Sequence, residues 1–188
     1  MPVFGAGTSN SEFEFLSGDS ISFLPTGCNV YQSYVKDTVP SLVSTLGALG
    51  YSRTAFHPYY GEGWNRRNVY PLLGFENYIS IEDFVDQDIL DTYKQNNDVT
   101  EYEMLLNERY PDRNMLLRRF VSDSYDYSMV ENMYENRDTS KPFFLFNVTM
   151  QNHGGYDWDG DGYFDKRIYL TGEEQDKYPT VDQYLSLV

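Results

Sequence analysis

The chain has 188 residues, 40% of them hydrophobic and 17% aromatic, which is enough for a substantial core and too rich in core formers for a disordered chain. Asp and Glu number 29 against 14 Lys and Arg, a net charge of −15, so nucleic-acid backbones would repel it and no polybasic segment would hold it on an anionic membrane. The single cysteine, Cys28, excludes an internal disulfide and a cysteine-based zinc site, and no stretch reaches the ~20 apolar residues of a membrane helix.

The first segment, VFGAGTSNSEFEFLSG, carries a glycine-rich turn before a short helix. Ser9 and Glu12 form an S-x-x-E capping box, which predicts a helix start at Ser9. Thr8 then sits just outside the helix mouth, where unpaired N–H groups and the positive dipole end favour an anion. A hydroxyl there suits phosphoryl or sulfuryl chemistry. It equally suits the plain task of assisting the cap, and the residues alone leave both open.

Residues 19–36 read as irregular. Val39, Leu42, Val43, Leu46 and Leu49 share one face of a helix over 40–49, which Gly50 stops. Ser52–Phe56 reads as a strand ending at His57, a helix-then-strand unit of the parallel α/β type. The loop HPYYGEGWNRRNVY places Trp64 and Arg66 two residues apart, near a predicted helix start at Asn65. Arginine forks two hydrogen bonds onto a phosphate and an indole walls a pocket. A surface loop with a half-buried tryptophan is the plainer alternative.

Residues 77–81 read as a further strand. The stretch 85–120 is acidic, then basic, with one helix near 100–109; it reads as a helical insertion, centred on 85–115, with a solvated charged face. A helix over 122–136 leads into 143–150, eight uncharged residues mixing aromatic and β-branched types. Such a run predicts a strand buried on both faces of a parallel sheet covered by helices. The sequence then switches to Gln151, Asn152, His153, Gly154, Gly155. Ligands of open α/β sheets bind beyond the carboxyl ends of strands, where both His57 and His153 fall. A polar structural loop is the alternative for His153. Next, Asp157, Asp159, Asp161, Gly162 and Asp165 match the first nine positions of a calcium loop, but Ile168 stands where the bidentate glutamate belongs. A solvated acidic turn competes with a Ca2+ site. A last helix is predicted over 180–188.

Three segments together carry a resemblance: G-x-G-T-S-N-S-E-F-E-F-L at 5–16, F-H-P-Y-Y-x-x-G-W-N-R at 56–66, and F-N-V-T-M-Q-N-H-G-G-Y at 146–156. In this order they resemble the lipoteichoic acid synthase-like branch of the sulfatase family, in the alkaline phosphatase superfamily. The similarity spans nearly the whole chain except about 85–115. It implies an α/β fold, a mostly parallel sheet with helices on both faces, forming over 1–188 a single, incomplete catalytic domain. Thr8 is then the nucleophile and a metal ligand, and His57, Trp64, Arg66 and His153 line the substrate pocket. The implied cofactor is a divalent metal, Mn2+ in the typical member, which lowers the pKa of the Thr8 hydroxyl and neutralises phosphate. The implied reaction takes glycerol phosphate from a phospholipid headgroup, that of phosphatidylglycerol, onto Thr8 and then onto an acceptor. The implied location is the outer face of a bacterial membrane, with membrane association through segments outside this sequence.

The family's remaining metal ligands are an acidic residue on an earlier strand and a later Asp-His pair. The sequence holds two histidines and neither follows an aspartate. The chain alone is therefore expected to bind the metal poorly and turn over little. A formylglycine sulfatase needs C/S-x-P-x-R, which Cys28-Asn29-Val30-Tyr31-Gln32 fails. A phosphoethanolamine transferase or a phosphodiesterase of the same fold stays open. The non-enzymatic alternative is an interaction module that binds Ca2+ at the Asp157 loop.

Overall fold

In the computed structural model the described residues are 7–96, 99–111, 115–117, 119–156, 168–175 and 177–188. They fall into two compact units, Met1–Phe84 with Met133–Val148, and Val85–Asn132 with Thr149–Val188. The acidic loop Asp157 to Asp165, the calcium candidate, lies outside the described residues.

The first unit contains helices α1 (Thr8–Ser17), α2 (Val30–Ser33) and α3 (Leu42–Ala48), strand β1 (Ser52–Phe56), helix α4 (Arg66–Leu73) and strand β2 (Asn77–Ile79). The second begins with α5 (Gln87–Asn96), α6 (Val99–Arg109), β3 (Leu116–Leu117) and β4 (Phe120–Val121). Helix α7 (Asp123–Glu135) then leads to β5 (Phe143–Asn147), and α8 (Pro179–Leu187) closes the chain.

Strands β2, β1 and β5 form a parallel sheet in that order. The expected parallel α/β sheet flanked by helices is therefore what the chain builds. Ala55 stands level with Tyr78 and Phe146. Side chains in register on parallel strands share a face. That face meets Leu16 of α1, Val30 and Tyr31 of α2, Val43 of α3 and Val69, Tyr70 and Leu73 of α4 in one core. Phe15 stacks on Phe146 at 5.9 Å, which lays α1 against β5. On the opposite face Phe56 meets Phe84 edge-on at 6.1 Å.

The strand expected to be buried on both faces differs from that expectation. Each residue of β5 is only partly buried, and among the described residues it pairs with β1 alone. On one of its faces Phe144 and Phe146 flank Phe75 at 6.2 and 6.1 Å. The buried strand is β1, whose last three residues are covered because it has a partner on each side.

Helix α3 starts with a reciprocal cap between Ser41 and Ser44. Ser41 Oγ also donates to the Leu73 carbonyl at 2.5 Å, tying α3 to the end of α4. Gly74 ends α4 in the left-handed region at φ 103°, and a Cβ there would stand 3.0 Å from the Ser44 backbone. Gly74→Ala is expected to cost about 1–2 kcal/mol from the backbone conformation alone, with the contact adding to it. Urea denaturation measures it.

In the second unit α5 and α6 pack on each other where one helix was expected. Arg109 at the end of α6 pairs with Asp86 and, at 3.2 Å, with Asp88, next to the start of α5. A short antiparallel hairpin, β3 with β4, follows. On α6 the Glu103 carboxyl has one buried oxygen with no hydrogen-bond partner. Burial pushes this group from its ordinary 4.5 up to about 7. A carboxyl raised in the folded state favours folding most below the unfolded pKa, and that contribution is lost as pH climbs from about 4.5 to about 7. Glu103→Gln is therefore expected to match the parent at pH near 4 and to be more stable at pH near 8. The gain is about 1 kcal/mol after allowance for solvent screening of a half-exposed group. Denaturant melts at the two pH values check it.

Candidate active site

Helix α1 begins at Thr8, with Gly7 as its cap at φ 93° and no side-chain cap bond. The predicted capping box does not form, and the helix starts one residue earlier. Ser9 and Glu12 have tertiary partners instead. Ser9 Oγ accepts from Asn29 Nδ2 at 2.8 Å. Asn10 donates to the Cys28 carbonyl at 2.9 Å and accepts from the Val30 N–H at 3.0 Å. Glu14 accepts from the Ile21 N–H at 2.8 Å and the Ser20 hydroxyl at 3.0 Å. Ser9, Asn10, Glu12 and Glu14 are all buried, whereas Thr8 is exposed. The polar residues of this motif thus hold the helix, and Thr8 presents its hydroxyl at the helix mouth. The first turn carries no acidic residue.

Glu12 lies one turn beyond Thr8. Its carboxylate accepts from Arg66 Nη2 at 2.6 Å, from Arg66 Nε at 3.2 Å to both oxygens, and from the Tyr70 hydroxyl at 3.0 Å. The side chains of Arg66 and Glu12 are 2% and 4% exposed, so this pair is sealed from water. The arginine expected to fork onto a phosphate therefore forks onto Glu12. Burial alone would lower the Arg66 pKa; the hydrogen bond and charge of Glu12 outweigh it and hold the guanidinium charged. Tyr70 is pushed well above the usual tyrosine range by burial and then by the Glu12 charge. Tyr31 and Tyr78 meet Tyr70 edge-on at 6.2 and 4.8 Å.

Arg66 follows two consecutive left-handed residues, Trp64 at φ 56° and Asn65 at φ 65°. Such positions cost on the order of 1–3 kcal/mol each, and persist where the surroundings over-determine them. Asparagine tolerates the region; tryptophan does not. Asn65 Nδ2 donates to the Tyr31 carbonyl at 3.2 Å, and Arg66 Nη1 donates to the Gly63 carbonyl at 3.4 Å. The result is a tryptophan held out with 45% of its surface exposed.

His57 caps β1 and is buried. Its backbone N–H donates to Ile79 O at 3.0 Å, and its ring Nδ1 lies 2.7 Å from Val148 O. A carbonyl only accepts, so Nδ1 carries the proton. His57 is thereby tied to the carboxyl ends of all three strands. His153 is exposed, with its N–H bonded to Met150 O at 2.9 Å and its ring 5.2 Å from that of Phe120. Thr8, His57, Trp64 and Arg66 belong to the first unit, and His153 belongs to the second.

Glu12 and Tyr70 were not found as site residues by sequence reasoning. The one available signal was a second acidic residue, Glu14, in a segment that otherwise alternates with phenylalanine. Among the described residues no three His, Cys, Asp or Glu side chains gather to hold a metal ion.

The first unit is thus a parallel α/β sheet with Thr8 at the mouth of α1 and His57 at the end of β1. Solved structures share the fold. The lipoteichoic acid synthase LtaP from Listeria monocytogenes superposes with TM-score 0.64 at 19% identity, over 98% of this chain and 37% of that one. An alkaline phosphatase superfamily protein from Vibrio parahaemolyticus gives 0.62 at 15%, over 98% and 38%. The phosphoglycerol transferase GacH of Streptococcus pyogenes, solved with sn-glycerol-1-phosphate, gives 0.55 at 21%, over 98% and 42%. The sequence model of the sulfatase family matches residues 2–188, and the chain belongs to that family. A Rhizobium meliloti protein named "Putative cyclic beta-1,2-glucan modification protein" is 32% identical over 156 residues, 83% of this chain and 20% of its own length. An uncharacterized Haemophilus influenzae protein is 26% identical over 162 residues, 82% of this chain and 25% of its own. The chain thus spans about a fifth to a quarter of these relatives.

Proposed function

We propose that the protein is a phosphotransferase of the lipoteichoic acid synthase type, which moves glycerol phosphate from phosphatidylglycerol through a phospho-threonine at Thr8. The observation that carries this reading is the contrast within α1: Ser9, Asn10, Glu12 and Glu14 are buried and bonded, and Thr8 stands exposed at the helix mouth. In the first step Thr8 Oγ1 attacks phosphorus and the bond to the diacylglycerol oxygen breaks. In the second an acceptor hydroxyl attacks the same phosphorus and releases Thr8. The N–H groups of the first turn of α1 stabilise the phosphate charge. Trp64 walls the glycerol, and His57 binds a phosphate oxygen or a glycerol hydroxyl. Arg66 acts from behind, through the backbone that it holds. A manganese ion belongs to this reading with ligands beyond those described here, and the reaction takes place on the outer face of the membrane.

A glycerol phosphate group is supported as the one transferred by the phosphoglycerol transferase of the same fold solved in complex with sn-glycerol-1-phosphate. For the acceptor, the 32% identical relative is named for a cyclic glucan, which favours a sugar hydroxyl over a teichoic acid chain. Product analysis tests both parts. The full-length protein is given vesicles of phosphatidylglycerol or phosphatidylethanolamine, with manganese, and with or without a cyclic glucan. Diacylglycerol from the first lipid alone, rising with glucan, is the expected result. Release from phosphatidylethanolamine instead would make the protein a phosphoethanolamine transferase.

A further inference from the structure

The exposed Thr8 and the exposed Trp64 sit on different elements, α1 and the turn before α4. One buried contact joins those elements close to both residues. Glu12 is four residues from Thr8, hence one helical turn along α1. Arg66 is two residues from Trp64 and one from Asn65, the two left-handed residues. The Arg66 guanidinium has its Nε and Nη2 on Glu12 and its Nη1 on the Gly63 carbonyl, so it spans the turn and the helix together. Tyr70, one turn further along α4, adds a third donor to the same carboxylate.

We infer that Glu12 is a positioning residue of the transfer site: acting through Arg66, it locks the left-handed Trp64–Asn65 turn to the helix that carries Thr8. A left-handed tryptophan relaxes unless something holds it. Arg66 is the side chain that bonds both inside the turn and to α1. Removing the Glu12 charge leaves the guanidinium buried without its partner, so it must move, and the turn moves with it. The functional consequence rests on the transferase reading above; the structural one does not.

The test uses full-length protein labelled with 5-fluorotryptophan, in which the resonance missing from Trp64→Phe is that of Trp64. Glu12→Gln keeps the shape and loses the charge. Its Trp64 fluorine resonance is expected to shift and narrow as the indole gains motion, while the other tryptophan resonances stay in place. If Glu12→Gln does not fold, Glu12→Leu with Arg66→Met replaces the pair by apolar groups of similar volume, a change that folded proteins often accept. It is expected to show the same shift. A folded variant of either kind with an unmoved Trp64 resonance overturns the inference. Turnover supplies a second readout: a loosened Trp64 wall raises KM and lowers kcat together, each by about tenfold. A fall in apparent kcat at unchanged KM means only a smaller folded fraction, and also overturns it. If the wild type shows no transfer at all, the transferase reading falls and the fluorine resonance alone decides the clamp.

Discussion

Thr8→Ala is expected to lower phosphoglycerol transfer by the full-length protein by about a thousandfold or more, with the fold intact. Loss of an attacking hydroxyl removes the covalent route altogether, and effects of that size follow. The fold survives because the start of α1 is pinned by its neighbours: Ser9 bonds Asn29, and Asn10 bonds Cys28 and Val30. Thr8 itself is exposed at the first helical position, where alanine is well tolerated. Thr8→Ser keeps a hydroxyl at the same place and is expected to keep measurable turnover. Diacylglycerol release from phosphatidylglycerol vesicles reads all three proteins. Wild-type rates in Thr8→Ala would remove the nucleophile from the account.

Arg66→Ala is expected to destabilise the first unit by about 3–5 kcal/mol, because Glu12 would be left as a buried charge without its counter-charge. That is comparable with the whole stability of many small domains, so the variant is expected to be largely unfolded at 37 °C. Tyr70→Phe removes one hydrogen bond to the same carboxylate and is expected to cost about 1 kcal/mol. A residue that merely touched substrate would show the reverse pattern, with stability unchanged and activity lost. Chemical denaturation followed by circular dichroism separates the two.

Much of the first unit is legible in the sequence because its signals are local. The apolar face and Gly50 stop mark α3, the five-residue run before His57 marks β1, and Gly74 closes α4. Placing His57 and Trp64 at element ends needs only that punctuation. The Glu12–Arg66 pair is not legible, since its partners lie 54 residues apart and no local rule joins them. The same pair explains the misplaced helix start. A serine and a glutamate three apart imitate a capping box, but tertiary partners outbid the cap, and Gly7 opens the helix instead. The strand at 143–147 misleads for a related reason: its apolar residues alternate over both faces, yet each is only partly buried. In the 85–120 stretch buried Tyr102 and Leu106 alternate with exposed Met104 and charged residues, which blurs the helical period.

The most direct measurement is peptide mass spectrometry on full-length protein quenched during turnover of phosphatidylglycerol with manganese. A single glycerophosphoryl group on the peptide that contains Thr8, absent from Thr8→Ala, is what a nucleophilic hydroxyl at the mouth of α1 predicts. Lipid consumed with no adduct there, or with the group carried by a different residue, would contradict it.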